Sequence, residues 1–400
     1  MFDMFISAFS SACSMEALVA NFIGVALGIV FGALPGLTAV MGVALLIPLT
    51  FGFPAVIAFS ALLGMYCGAI YAGSITAILV GTPGTAAAAA TMLEGPALTA
   101  RGESRRALDM ATIASFVGGI VSALALIFIA PMLARAAMSF GAPEYFAVAV
   151  FGLTVVASLV KGLISALAGL FLATIGLDPV TGDMRNTFDN PNLFNGLSLV
   201  PVLVGLFAVS QVLVTVEDVV RGVSLKESTV SKRGISLKDL TGNVVNFIRS
   251  SVIGTLIGII PATGVSAASF LAYSEAKRFS KTPEMYGKGC VEGIAATESS
   301  NNAVCGGALI PLLTLGVPGD IITAIMLGAL MIQGLTPGPL LFVEHPVTVY
   351  GIFAAFIIAN IMMLVCGLIA VRGAGKIIAI PGAVLMPIVI TLCVVGGYAV

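Results

Sequence analysis

Residues 28–38 read GIVFGALPGLT, and residues 254–264 read GTLIGIIPATG. Gly28, Gly32 and Pro35 fall on Gly254, Gly258 and Pro261, an offset of 226. Farther along, Gly81-Thr82-Pro83-Gly84-Thr85 returns as Gly316-Val317-Pro318-Gly319-Asp320 at an offset of 235, the nine extra residues being taken up by a longer basic loop in the second copy. Two motifs in one order at similar offsets describe an internal repeat. Each motif interrupts an apolar run with Pro, which lacks the N–H a helix needs, and Gly, which is free to turn. The pattern predicts helices broken at their centres.

The runs around these breaks set the class of protein. Of 400 residues, 59% are apolar and 9% charged, against roughly 25% charged in a soluble domain, so the chain reads as a membrane protein and a water-soluble enzyme is excluded. At about 20 apolar residues per helical span, with about 100 residues set aside for connections, there is room for about 10 to 14 spans or partial spans. The runs are too long and too little alternating for a transmembrane barrel, which leaves helices. Gly is abundant, at 46 residues, and Trp is absent, which favours close helix packing through small residues. A net charge of -1 without a large basic cluster argues against nucleic acid as a partner. The six cysteines show no CxxC spacing and read as small buried residues. No Lys or Arg occurs in the first twenty residues, so the basic start of a cleavable signal is missing.

Charge then gives a topology. Arg101, Arg105 and Arg106 form one basic loop; Arg221, Lys226, Lys232, Arg233, Lys238 and Arg249 a second; Lys277, Arg278, Lys281 and Lys288 a third; Arg372 and Lys376 a fourth. The positive-inside rule places them in the cytoplasm, with Lys161 in a short break between two apolar runs. Four apolar segments, at about 110–134, 145–160, 162–177 and 197–216, separate the first loop from the second, so the parity closes with the acidic 178–195 stretch outside. The run 251–273 is flanked by basic loops on both sides and reads as a re-entrant hairpin with Pro261-Ala262-Thr263-Gly264 at its tip. The first copy is followed by a basic loop and the second is preceded by one, so the copies are expected to be inverted. The expected fold is an all-α polytopic bundle of two inverted-topology repeats with Gly/Pro-broken helices. Residues 1–109 form the first core, 110–216 connecting helices, 217–249 a cytoplasmic linker, 250–345 the second core and 346–400 further transmembrane helices. Inverted repeats with interrupted helices are the sequence mark of a secondary transporter, with its site at the repeat interface.

The motifs LPGLT (34–38), PLTFG (48–52), GTPGT (81–85), GLDPVTG (176–182) and ESSNNAVCGGALIPLLTLGVPGD (298–320) resemble the large membrane subunit of the tripartite tricarboxylate transporters, and the resemblance runs nearly the length of the chain. It implies a solute importer of the bacterial inner membrane, working with a small membrane subunit and a periplasmic solute-binding protein. It further implies a cation gradient, of sodium or protons, as the driving force, and organic anions such as citrate as substrates, with no cofactor. Family members usually run about a hundred residues longer, and the second Gly they carry after the counterpart of Pro261 is replaced here by Ala262-Thr263.

A carboxylate substrate ordinarily calls for Arg or Lys, yet neither occurs in the repeat motifs. Helices that begin in mid-membrane supply an alternative, because their free N–H groups carry about half a positive charge. Pro35, Gly36, Gly84, Gly264, Pro318 and Gly319 mark the expected breaks, and Thr38, Thr85, Thr263 and Ser266 add hydroxyl donors beside them. Ser74 and Thr76, in the first copy, are weaker candidates. The polar string Glu298-Ser299-Ser300-Asn301-Asn302 is the second constellation: Glu298 and Asn302 share a helix face, and Asn301 and Asn302 are candidate substrate ligands. An intramembrane carboxylate is costly, which makes Glu298 and Asp320 candidates for ion coupling; the plainer reading of Glu298 is a helix-end residue at the membrane boundary, and of Asp320 a helix N-cap. His345 reads as a solvated loop residue, and the Gly28/Gly32 and Gly254/Gly258 pairs as packing surfaces.

Rival classes are weaker. No GxxxxGK[ST] phosphate loop is present and the longest cytoplasmic stretch is too short for an ATPase domain, which argues against a primary pump. HExxH and GxSxG are absent, so nothing points to a membrane enzyme. An anion channel shares the half-helix plan and differs in never concentrating its substrate.

Overall fold

The computed structural model describes residues 2–34, 36–156, 160–178, 183–194, 196–220, 230–231, 234–261, 263–378 and 382–398. The first half contains α1 (Phe2–Ala12), α2 (Met15–Ala33), α3 (Ala39–Thr50), α4 (Ala55–Leu79), a 3-10 segment (Ala86–Leu93), α5 (Gly95–Ala100) and α6 (Ser104–Ala137). A connecting stretch comes next, with α7 (Ala142–Val156), α8 (Val160–Ala173), a small antiparallel hairpin of β1 (Gly176–Leu177) and β2 (Met184–Arg185), α9 (Leu199–Leu203) and α10 (Ser210–Val220) joined through a π-helical stretch, and α11 (Leu237–Gly242). The second half contains α12 (Val244–Ile259), α13 (Val265–Phe279), α14 (Val291–Leu315), α15 (Ile321–Ile332), α16 (Leu341–Glu344), α17 (Pro346–Ile378) and α18 (Gly382–Tyr398). Among the described residues, α2, α4, α6 and α17 are long and apolar enough to cross a membrane, and several shorter apolar helices accompany them.

The core is built around α4 and α14, each 25 residues long and so about 38 Å at 1.5 Å per residue. Only Ala55 and Ile57 of α4 fall outside the buried set, and only Glu292 and Leu315 of α14. A helix enclosed on every side needs small or apolar residues all round; α4 meets that, whereas α14 also buries the polar string from Thr297 to Asn302. Lipid would not accept those groups without partners, and here they face other helices.

Glycine sets the helix spacing. A Cβ on Gly24, Gly28 or Gly32 of α2 would lie 2.1, 2.6 and 2.2 Å from the carbonyl oxygens of Ala61, Met65 and Ala69 on α4. On α12, a Cβ at Gly254 or Gly258 would lie 2.1 and 2.7 Å from those of Ser300 and Val304 on α14. These are packing surfaces, as read from the sequence. The same offsets relate the two sets: 226 from Gly28 to Gly254 and from Gly32 to Gly258, 235 from Met65 to Ser300 and from Ala69 to Val304.

Contact registers give helix directions. The α2 and α12 contacts advance together with those on α4 and α14, so each pair is parallel. Gly118 meets Ser299 and Ser122 meets Gly306, which makes α6 parallel to α14. Gly119 meets Asn360 while Thr112 meets Gly367, so α6 and α17 are antiparallel; Val56 meets Gly351 and Tyr71 meets Gly367, so α4 and α17 are parallel. Thus α2, α4 and α17 run one way, and α6, α12 and α14 run the other.

The basic loops gather at one end. Arg101 donates from its guanidinium to the carbonyls of Lys288 and of Gly289, the latter at 3.2 Å. Arg106 grips Asp239 with two bonds of 3.0 and 2.6 Å, and Ser231 exchanges bonds with Ser104 and the N–H of Arg105. The antiparallel register of α6 and α17 brings Arg372 to the same end. Arg221, Lys226, Lys232 and Arg233 lie outside the described residues; Lys161, expected to form the break between two apolar runs, falls instead in the first turn of α8.

Candidate functional site

Each expected break is a gap between helical segments. The chain leaves α2 at Ala33 and enters α3 at Ala39; it leaves α12 at Ile259 and enters α13 at Val265. Gly36 and Gly264 have φ of +87° and +84°, a region that penalises any side chain. Pro35 and Ala262 lie outside the described residues. After Gly316, at φ +70°, the half-buried Pro318 precedes α15. The break at 81–85 differs from the expected half-helix: the chain continues there into the 3-10 segment, whose small residues run close between α4, α13 and α14.

The breaks lie against one another. Gly84 is wedged where a Cβ would meet the Gly32 carbonyl oxygen at 2.0 Å, and Gly319 where one would meet that of Gly258 at 2.5 Å. In both halves, then, the second break touches the end of the helix that enters the first. Across the halves, Ser266 donates to the Ala86 carbonyl at 2.7 Å and Ser269 to that of Ala87 at 3.2 Å. The Tyr66 hydroxyl of α4 donates to Asp320 Oδ2.

Most of the hydroxyls expected to face substrate have other partners. Thr38 caps α3, accepting from the Met41 N–H at 3.1 Å. Thr263 donates to the Ile260 carbonyl in its own turn at 2.8 Å, and Ser74 to the Tyr71 carbonyl at 2.7 Å, deep inside α4. By the contact register Ser74 falls at Leu309, seven residues beyond Asn302; Thr76 bonds to the Gly73 carbonyl at 3.4 Å and borders Gly84. Thr85 is the exception, its buried Oγ1 having no hydrogen-bond partner.

Asp320 is the N-cap of α15. Its Oδ1 accepts from the Thr323 N–H at 2.7 Å and its own N–H donates to Thr323 Oγ1 at 2.9 Å, a reciprocal capping pair. Glu298 is not at a helix end: it is the eighth residue of α14 and fully buried. The Thr91 hydroxyl donates to its Oε1, and Ser115 Oγ at 3.3 Å and Asn301 Nδ2 at 3.1 Å donate to its Oε2. The partner on its own helix is thus Asn301, at i+3, rather than the expected Asn302. Asn302 donates instead to Asn301 Oδ1 at 2.7 Å, leaving its own Oδ1 and the neighbouring Ser300 Oγ buried without partners. Among the described residues no Lys, Arg or His pairs with either carboxylate.

Sequence reading missed Tyr66, Thr91 and Ser115, which sit singly in apolar runs and reach the carboxylates only through tertiary packing. It also missed Glu94. Fully buried, Glu94 accepts from the Tyr273 hydroxyl at 2.6 Å and the N–H groups of Gly287, Gly289 and Cys290 at 2.6, 2.8 and 2.7 Å. One side chain of the first half therefore holds the loop between α13 and α14. In that loop burial pushes the Tyr286 phenol well above its usual range, with nearby Glu292 adding to the effect.

The model of the Tripartite tricarboxylate transporter TctA family matches residues 18–400. The chain belongs to this family. It is 38% identical over 398 residues to a protein of Agrobacterium vitis described as "Uncharacterized 52.8 kDa protein in TAR-I ttuC' 3'region", covering 98% of this chain and 79% of that one. A second protein of the same organism, "Uncharacterized protein in TAR-II ttuC' 3'region", is 37% identical over 147 residues, covering 37% of this chain and 61% of that one. No solved structure matches. Membership of the TctA family, with its apolar helices, makes the chain a multi-pass membrane protein and the membrane component of a tripartite transporter. Three of the motifs that carry the family resemblance, LPGLT, GTPGT and ESSNNAVCGGALIPLLTLGVPGD, fall at the breaks and the buried polar string.

Proposed function

We propose that this TctA-family chain is the large transmembrane subunit of a secondary active transporter that imports citrate-like tri- or dicarboxylates across the bacterial inner membrane. Its partners are a small membrane subunit and a periplasmic binding protein that delivers substrate, and a sodium or proton gradient drives uptake. The two halves, α2–α6 and α12–α17, act as inverted repeats. The observation that carries this reading is the repeat-related pairing of breaks, Gly84 on the end of α2 and Gly319 on the end of α12. The opposite directions of α2 and α12, α4 and α14, and α6 and α17 support the inversion.

Substrate carboxylates sit among the breaks. The N–H groups at the starts of α3, α13 and α15 supply partial positive charge, half-buried backbone at Gly36 and Gly264 allows close approach, Gly84 and Gly319 hold the breaks against the ends of α2 and α12, and Thr85 and Asn302 offer buried polar atoms without partners. Pro318 keeps α14 and α15 from joining into a continuous helix, Thr38 and Thr263 shape the turns, and Ser266 ties α13 to the 3-10 segment. Glu298 carries the coupling ion: it is enclosed by neutral donors, so the charge it bears in the membrane interior calls for a proton or a metal cation. Asp320, held by Tyr66 and Thr323, couples that site to α4. Rocking of one half against the other opens the site alternately to each side.

The test is uptake of labelled citrate and a panel of mono-, di- and tricarboxylates in vesicles containing both partner subunits, under an imposed sodium or proton gradient. Gradient-dependent accumulation in the wild type, lost in Glu298→Gln and Asn301→Ala at normal insertion, is expected. Accumulation unchanged in both variants would remove the site assignment and leave transport standing. Passive flux without accumulation would make the chain an anion channel.

A further inference from the structure

Near the end of the bundle where the basic loops gather, α12 and α13 present cations beside an apolar face. Arg249 lies in the second turn of α12, on the face of Val245, Val252 and Leu256, which are 75%, 45% and 56% exposed. Ile248 beside it is also exposed. The last turn of α13 supplies Lys277 and Arg278, and the ring of exposed Phe279 lies between the two arginines, 5.0 Å from the Arg249 guanidinium carbon and 5.6 Å from that of Arg278.

The cations are poorly neutralised. Arg249 donates to Asn246 Oδ1 at 3.0 Å, and its Nε is buried without a partner. Arg278 has Glu275 at 3.5 Å, a loose and exposed pair worth little. Among the described residues Arg249 and Lys277 have no carboxylate partner. The nearby Glu292 is engaged by the Ser280 hydroxyl at 2.7 Å. On the neighbouring flank of α12, Ile113 and Val117 of α6 with Leu240, Thr241, Val244, Phe247 and Ile248 line an open groove of about 250 Å³.

We propose that this surface is a binding site for an anionic phospholipid of the leaflet at the basic end. Its phosphate lies between Arg249 and the Lys277–Arg278 turn, against Phe279, and its acyl chains follow the Val245, Ile248, Val252 and Leu256 face. Charge and apolarity together commit the site to a lipid: a soluble anion would use the cations and leave the apolar face uncovered, and a zwitterionic lipid would bring its own cation against the arginines. Juxtamembrane basic groups attract anionic lipid, and a guanidinium stacked on a ring is a strong phosphate ligand. The site lies at the foot of the helix that enters the second-half break, so lipid there steadies α12.

The experiment is thermal unfolding of the full-length protein in detergent, with phosphatidylglycerol, phosphatidylcholine or inorganic phosphate added, for wild type and the double variant Arg249→Gln/Arg278→Gln. Lys281→Gln serves as a basic-loop control outside the site. Expected is a rise in the unfolding temperature with phosphatidylglycerol in wild type and Lys281→Gln, reduced by more than half in the double variant, with no comparable rise from the other two additives. Equal rises with phosphatidylcholine, or a full phosphatidylglycerol response in the double variant, would overturn the proposal. A matching response to inorganic phosphate would overturn it in favour of a soluble-anion site. Native mass spectrometry of wild-type protein, counting retained phosphatidylglycerol against phosphatidylcholine, keeps the test open if the double variant does not fold: no preference for the anionic lipid refutes the site.

Discussion

Replacing Glu94 with Gln tests how the two halves are joined. The carboxylate accepts four hydrogen bonds at 2.6 to 2.8 Å, three of them from backbone N–H groups of Gly287, Gly289 and Cys290. A Gln at this position keeps one carbonyl oxygen for Tyr273 and Gly287, and turns an NH2 group toward the N–H groups of Gly289 and Cys290. Two hydrogen bonds to a charged acceptor are lost, at about 1.5–3 kcal/mol each, so opening of the 280–290 loop becomes easier by about 3–6 kcal/mol. Lys288 lies within that loop and is exposed, which makes its trypsin cleavage a local readout. Under conditions where cleavage tracks the open population, 3 kcal/mol corresponds to cleavage about 100-fold faster. Arg101, which holds the Lys288 and Gly289 carbonyls, acts on the same loop, so Arg101→Gln accelerates cleavage by a smaller factor. Cleavage of Glu94→Gln within threefold of wild type would refute the reasoning, because four short bonds into one buried carboxylate would then contribute nothing to loop closure.

Gly84→Ala and Gly319→Ala each drive a Cβ to within 2.0 and 2.5 Å of a carbonyl oxygen; both are expected to lose at least 1–3 kcal/mol and transport activity, while Gly242→Ala, in open space, stays within about 0.5 kcal/mol of wild type in thermal unfolding. The Arg106 bonds hold the Asp239 carboxyl down at about 2 against an ordinary 3.8, so its stabilisation is fully present above pH 4 and is lost as pH falls toward 2. Because Asp239 is partly exposed, that contribution is about 1 kcal/mol after screening, and Asp239→Asn should remove it at pH 7 and weaken the acid dependence of unfolding between pH 4 and 2. Tyr66→Phe strands the Asp320 carboxylate oxygen that the hydroxyl serves and should cost about 1–3 kcal/mol; an unfolding temperature equal to wild type would show that water replaces the phenol.

Much of this architecture was legible in the residues alone. Pro and Gly disfavour a continuous helix, which fits α2 ending at Ala33, α4 at Leu79, α12 at Ile259 and α14 at Leu315, and the Gly28/Gly32 and Gly254/Gly258 surfaces follow from the need for small residues where helices touch. Charge placed the basic loops together because Lys and Arg cannot be left in lipid. LPGLT, GTPGT and the end of the 298–320 motif fall at these same positions, so the residues that carry the resemblance are partly those that shape the helices.

Tertiary structure decided the rest. No local signal distinguishes Tyr66, Thr91 or Ser115 from other isolated polar residues in apolar runs; they matter because helices from the other half bring Asp320 and Glu298 to them. The same packing buried Glu298 inside α14 among donors from the other half, turned the segment after Thr85 into a 3-10 run, and gave Glu94 a loop from the second half to hold. Periodicity and breaks are short-range properties that neighbouring residues determine, whereas the partners of a buried polar atom are chosen by long-range contacts that only the folded chain makes.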